Sequence, residues 1–67
     1  MPNRLAELRE QHGLAQRGLT ALCGVPAATI SAIERWDYQP APATREKLAK
    51  ALGCEVSDIW PESEAVV

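Results

Sequence analysis

Helix-breaking residues recur along the chain too often for any long element to form. Gly13, Gly24 and Gly53, with Pro26, Pro42 and Pro61, divide it into short segments. Glycine supplies the left-handed backbone that ends a helix, and proline suits a first turn whose N–H has no partner. Between these breaks apolar residues return at three- and four-residue spacing, and no segment alternates with period two over a strand's length. The expected fold class is therefore all-α: a compact bundle of five short helices joined by tight turns.

Asn3 is expected to cap the first helix through its side-chain carbonyl, with Leu5 and Leu8 on one face and Gly13 closing the segment. Leu14 precedes a second helix, Gln16 to Cys23, whose apolar face is Leu19, Leu22 and Cys23. Pro26 falls in the first turn of a third, where Ile30 and Ile33 share a face. Trp36 to Ala41 reads as a loop by composition. Pro42 starts a fourth helix reaching Leu52, with Thr44, Leu48, Ala51 and Leu52 inward. Glu55 to Trp60 forms a last short helical turn with Val56, Ile59 and Trp60 inward. One domain is expected over 1–62, with 63–67 as a frayed tail.

A chain of 67 residues with 11 alanines, no phenylalanine and three aromatics can build only a small core, since a domain of this size buries about 60% of its unfolded surface. A roomy enclosed pocket is excluded, and a multi-part catalytic apparatus is not expected. The single histidine, His12, ends the first helix, and no Ser or Cys has a base near it, so no enzyme is expected. Cys23 and Cys54 lack paired spacing, and with His12 they fall one ligand short of a zinc site. Neither metal nor cofactor is expected. No basic-then-apolar leader and no membrane-length apolar run is present, so the expectation is a cytoplasmic protein with no membrane partner.

Net charge is −2, which taken alone argues against nucleic acid, because phosphate neutralisation favours a basic surface. The distribution is uneven. Residues 1–35 hold four arginines against three glutamates, and residues 36–67 hold three basic side chains against six acidic ones.

The most informative stretch is Gln16 to Arg35. Two helices meeting near a right angle need a glycine at the turn, a small residue one turn earlier and apolar inner faces. Leu19, Cys23, Gly24, Val25, Ile30 and Ile33 meet these demands in register, with Thr20 at the close-approach position. Together with Asn-Arg-Leu-Ala-Glu-Leu-Arg at the start, Gly-Leu-Ala-Gln before the second helix, Thr-Ile-Ser-Ala-Ile-Glu-Arg in the third and Lys-Leu-Ala-Lys-Ala-Leu-Gly in the fourth, the chain resembles the Cro/C1-type helix-turn-helix family. These are the DNA-binding domains of phage repressors and small bacterial regulators. The resemblance runs from Asn3 to Trp60, where Asp-Ile-Trp matches the closing turn.

The resemblance implies a five-helix fold whose third helix enters the major groove of double-stranded DNA, usually as a homodimer on a palindromic site. Gln16 would meet a phosphate at the start of helix 2, and Arg17 the same strand. Thr29 and the loop after Arg35 would hold the backbone. Base edges would fall to Pro26, Ala27, Ala28, Ser31 and Ala32. Arg9 and Glu34 occupy positions that form a buried ion pair in several relatives.

This surface is bare. Alanine offers only a methyl group, suited to thymine, so direct readout is expected to be modest and A·T-leaning. The alternative is that these alanines are only good helix formers on a solvent face. Ala15 stands where a capping side chain is expected, and Gly18 weakens the interior of helix 2. Trp36 replaces the small residue that normally follows Glu-Arg. It is either strained in the left-handed region or marks a different helix end, with Trp36 and Tyr38 swung outward or tucked beneath the domain. Outward aromatics would lie on a DNA backbone or in a dimer interface, and Trp60, Val66 and Val67 are further candidates for self-association.

The function expected is a sequence-specific DNA-binding transcriptional regulator, acting as a repressor, with the whole chain as DNA-binding domain and no room for an effector domain. The alternative is a protein-interaction module on the same fold, an antitoxin, co-regulator or anti-repressor bound to a partner regulatory protein.

Overall fold

Five helices follow one another in the computed structural model, which describes residues 3–36 and 38–61. They are α1 (Leu5–Gln11), α2 (Gln16–Cys23), α3 (Ala27–Trp36), α4 (Pro42–Ala51) and α5 (Val56–Ile59). No strand occurs among the described residues, and none of their helices is long and apolar enough to cross a membrane. The expected tail at 63–67, with Val66 and Val67, lies outside the described residues, as does Asp37 in the α3–α4 loop.

The helices form where the punctuation allows. Gly24 ends α2 in the left-handed region at φ 78°, and its N–H donates to the Thr20 carbonyl. That conformation costs glycine little and would strain any residue with a Cβ. The chain can therefore turn at once into α3. α2 packs on both α3 and α4, α5 packs on α4, and α1 packs on α3. Leu5, Leu19, Ile30, Ile33, Leu48 and Ile59 are fully buried where these elements meet, and Val25, Ala49, Leu52 and Trp60 complete the core.

Several expectations need correction. Asn3 does serve the start of α1, but from one residue outside the N-cap, which is Arg4. Its Oδ1 accepts the Leu5 N–H at 3.0 Å while its Nδ2 donates to the Ile33 carbonyl at 2.9 Å. The side chain is held by α3 as well as by α1, which is why this polar residue is buried. Pro26 stands just before α3, its carbonyl accepting from Thr29 and Ile30. In α4 the buried alanine is Ala49, with Thr44 and Ala51 only half-buried. At 100° per residue the buried arc centres on Leu48, Ala49 and Leu52, and Ala51 falls on its flank. Leu22 is not inward: it is 60% exposed. The inner line of α2 runs through Leu19, and Leu22 lies off it on the rim of a shallow groove with Cys23, Lys47, Lys50 and Ala51.

Candidate nucleic-acid interface

On α3, Ile30 and Ile33 face the core. At 100° per residue the opposite side carries Ala28, Ser31, Ala32 and Arg35, with Ala28 and Arg35 along its midline and about 10 Å apart along the axis. Both midline residues are exposed, while Ser31 and Ala32 beside them are half-buried. Ala27 and Thr29 sit half-buried on the flanks of the first turn, and Pro26 is exposed at its entrance. Ala28, Ser31, Ala32 and Arg35 thus share one outward surface made of methyl groups, one hydroxyl and a terminal guanidinium, with Ala27 and Thr29 at its edges.

α3 continues through Trp36 rather than stopping before it. Trp36 therefore has helical backbone, and the left-handed alternative is ruled out. The residue is 75% exposed, and Tyr38 is 52% exposed. Both aromatics are swung outward. The Tyr38 N–H donates to the Ala32 carbonyl at 3.4 Å, keeping the start of the loop beside the last turn of α3.

At the head of α2, Ala15 has extended backbone (φ −76°, ψ 168°) and no side chain caps the helix. The first-turn N–H groups are thus left to solvent or to an anion. Arg17 is exposed in this turn, and Gln16 is half-buried. Gln16 is also engaged: its Nε2 donates to Glu34 Oε1 at 3.1 Å. The same carboxylate takes two bonds from Arg9, from Nε at 2.7 Å and from Nη2 at 3.2 Å. Arg9 Nη1 donates to the Leu14 carbonyl as well. The Arg9 and Glu34 side chains are only 12% and 8% exposed. The hydrogen bonds it donates to Glu34 hold the Arg9 guanidinium above its already high ordinary pKa. One carboxylate therefore fixes α1, the head of α2 and the end of α3 together. It orients the Gln16 amide while leaving its second N–H free of Glu34.

Two long-range contacts of the α3 end of the fold escape sequence reasoning. Asn3 ties Ile33 of α3 to α1. Arg45 reaches from α4 into the α3–α4 loop: its Nε donates to the Pro40 carbonyl and its Nη2 to Gln39 Oε1, each at 3.1 Å. Its guanidinium carbon also lies 5.6 Å from the centroid of the buried Trp60 ring. An arginine in an amphipathic helix carries no mark of a backbone carbonyl it will meet in three dimensions. Cys23 and Cys54 are both free thiols.

A family model described as helix-turn-helix matches residues 5–59. The HTH-type transcriptional regulator PuuR of Escherichia coli is 41% identical over 61 residues, which is 91% of this chain and 33% of that protein. The chain thus spans about a third of the length of that relative. The uncharacterized HTH-type transcriptional regulator YgzD of Bacillus subtilis is 37% identical over 65 residues, covering 96% of this chain and 98% of that one. An uncharacterized HTH-type transcriptional regulator of Methanothermobacter thermautotrophicus is 36% identical over 61 residues, 90% of this chain and 88% of its own length.

Proposed function

The chain belongs to the Cro/C1-type helix-turn-helix family, and from that premise we propose that it is a DNA-binding transcriptional repressor that docks as a two-fold dimer on a palindromic operator. α3 enters the major groove with Ala28, Ser31, Ala32 and Arg35 toward the base edges, and with Pro26 and Ala27 at its entrance. The uncapped head of α2, with Gln16 and Arg17, grips a phosphate. Thr29, Trp36 and Tyr38 lie along the sugar-phosphate backbone. The observation that carries this reading is the outward surface of α3, from which every large aliphatic side chain is absent while Ile30 and Ile33 fill the core behind it. A helix so lined can approach a groove floor closely, and its methyl groups favour thymine.

Selection of duplexes from a random pool by gel shift, followed by titration at rising salt, tests the reading. A steep loss of affinity between about 50 and 200 mM salt is expected of phosphate contacts. Ala28→Glu places a charge on the midline of α3 without touching the core and should abolish binding. Retained affinity in that variant, or no affinity of the unaltered chain for any duplex, would count against α3 as the reader. A second reading, a protein-interaction module, is favoured by the exposure of Leu22 and Trp36 and by the net charge of −2. It predicts a stable complex with a protein and no duplex selected from the pool.

A further inference from the structure

We propose that Arg45 is a positioning residue for DNA binding: it locks the α3–α4 loop to the core and so holds Tyr38 where a backbone phosphate can reach its hydroxyl. This inference rests on the DNA-binding reading above and adds to it a residue that does not itself touch DNA.

Three observations converge on the one guanidinium. Its Nε and Nη2 donate to the Pro40 carbonyl and to Gln39 Oε1, so it holds two successive residues of the loop from one side. Its carbon lies over the Trp60 ring, and Trp60 is part of the buried core, so the other end of the clamp is anchored to a side chain that cannot swing. Pro40 is itself buried, which fixes the loop at the point where Arg45 grips it. Next to this clamp, the backbone bond from Tyr38 to Ala32 is long at 3.4 Å. A planar guanidinium with donors in a fixed fork can serve a carbonyl and an amide oxygen together while lying on an aromatic face. A lysine has its three donors on a single nitrogen and no planar face to lay on the ring, so it reproduces the arrangement only in part. The loop so held follows directly on Arg35 and Trp36, at the end of the surface α3 turns outward.

The test compares affinities for one pool-selected duplex by fluorescence anisotropy, at a temperature where circular dichroism shows each variant folded. Arg45→Leu is expected to weaken binding about tenfold, equivalent to about 1.4 kcal/mol. Gln39→Ala, an exposed change that removes one acceptor, should weaken it less but in the same direction. Arg45→Lys should recover part of the loss. A residue that acts only on stability would multiply its effect with that of any contact residue. A residue acting through the loop would not, so Arg45→Leu combined with Tyr38→Ala should bind little worse than the weaker single variant.

Binding by folded Arg45→Leu within twofold of the unaltered chain would overturn the proposal while leaving DNA binding intact. So would fully multiplicative effects of Arg45→Leu and Tyr38→Ala. Should Arg45→Leu fail to fold, Gln39→Ala carries the decision, and unchanged affinity there overturns it. Failure of the unaltered chain to bind any duplex would overturn both this inference and the reading beneath it.

Discussion

The hydroxyl of Thr20 is buried with no hydrogen-bond partner among the described residues. A buried polar group left unpaired costs about 1–3 kcal/mol, and alanine is the better helix former at this interior position of α2. Thr20→Ala is therefore expected to stabilise the fold by about 1 kcal/mol, read as a higher urea midpoint at unchanged m-value. Glu34 behaves oppositely. Its carboxylate satisfies both Arg9 and Gln16. Removing it takes the main carboxylate partner from Arg9, whose side chain is only 12% exposed, and leaves the guanidinium the Leu14 carbonyl and the more distant Glu10. Glu34→Ala should cost roughly 3–5 kcal/mol, against a total of only about 3–10 kcal/mol for a chain of 67 residues. Equilibrium unfolding of this variant should show a substantial unfolded population before denaturant is added.

Among the elements, α2 shows how local rules and tertiary demands divide. No side chain caps it at Ala15, so Ala15→Ser should add about 1 kcal/mol of stability, measurable as a shifted thermal midpoint. Gly18 looks like a defect in the same helix, yet a Cβ there would stand 3.2 Å from Leu14 Cδ2. A Cβ there would press on the tip of the Leu14 side chain, which would have to give by a few tenths of an ångström. The number, order and approximate limits of the helices are legible in the sequence because glycines and prolines mark them and because Leu19, Ile30, Ile33 and Leu48 keep helical phase. The phase of α4 is less legible, since Ala43, Ala49 and Ala51 are interchangeable by composition and only packing against α2 and α5 selects Ala49. Leu22 misleads for a related reason: an apolar residue on the edge of the inner arc is placed by what the neighbouring helix covers. The helical backbone of Trp36 depends on how the chain leaves α3, which residue type alone does not specify. At the candidate site, the resemblance points to Arg9 and Glu34, but the bond from Gln16 to that pair and the hold of Arg45 on Pro40 arise only when distant segments meet.

At the scale of the whole molecule, a small core makes the fold sensitive to whatever binds it. If the pool-selected duplex binds only the folded form, duplex at about a hundred times its dissociation constant adds about 2.7 kcal/mol of stability. For a domain of this size that corresponds to a rise of roughly 10–20 °C in Tm, at about 4–8 °C per kcal/mol. Thermal unfolding with and without duplex checks it, and a Tm that does not move would speak against tight, fold-selective binding. The outward surface of α3 carries a last consequence. Ala28 is exposed, and the inward anchors Ile30 and Ile33 lie on the other side of the helix. Its identity is uncoupled from the interior, so a glutamine or arginine installed there adds a hydrogen-bonding fork without displacing a packed atom. If α3 is the reader proposed above, target preference in this scaffold can drift, or be engineered, without a compensating change in the bundle that supports it.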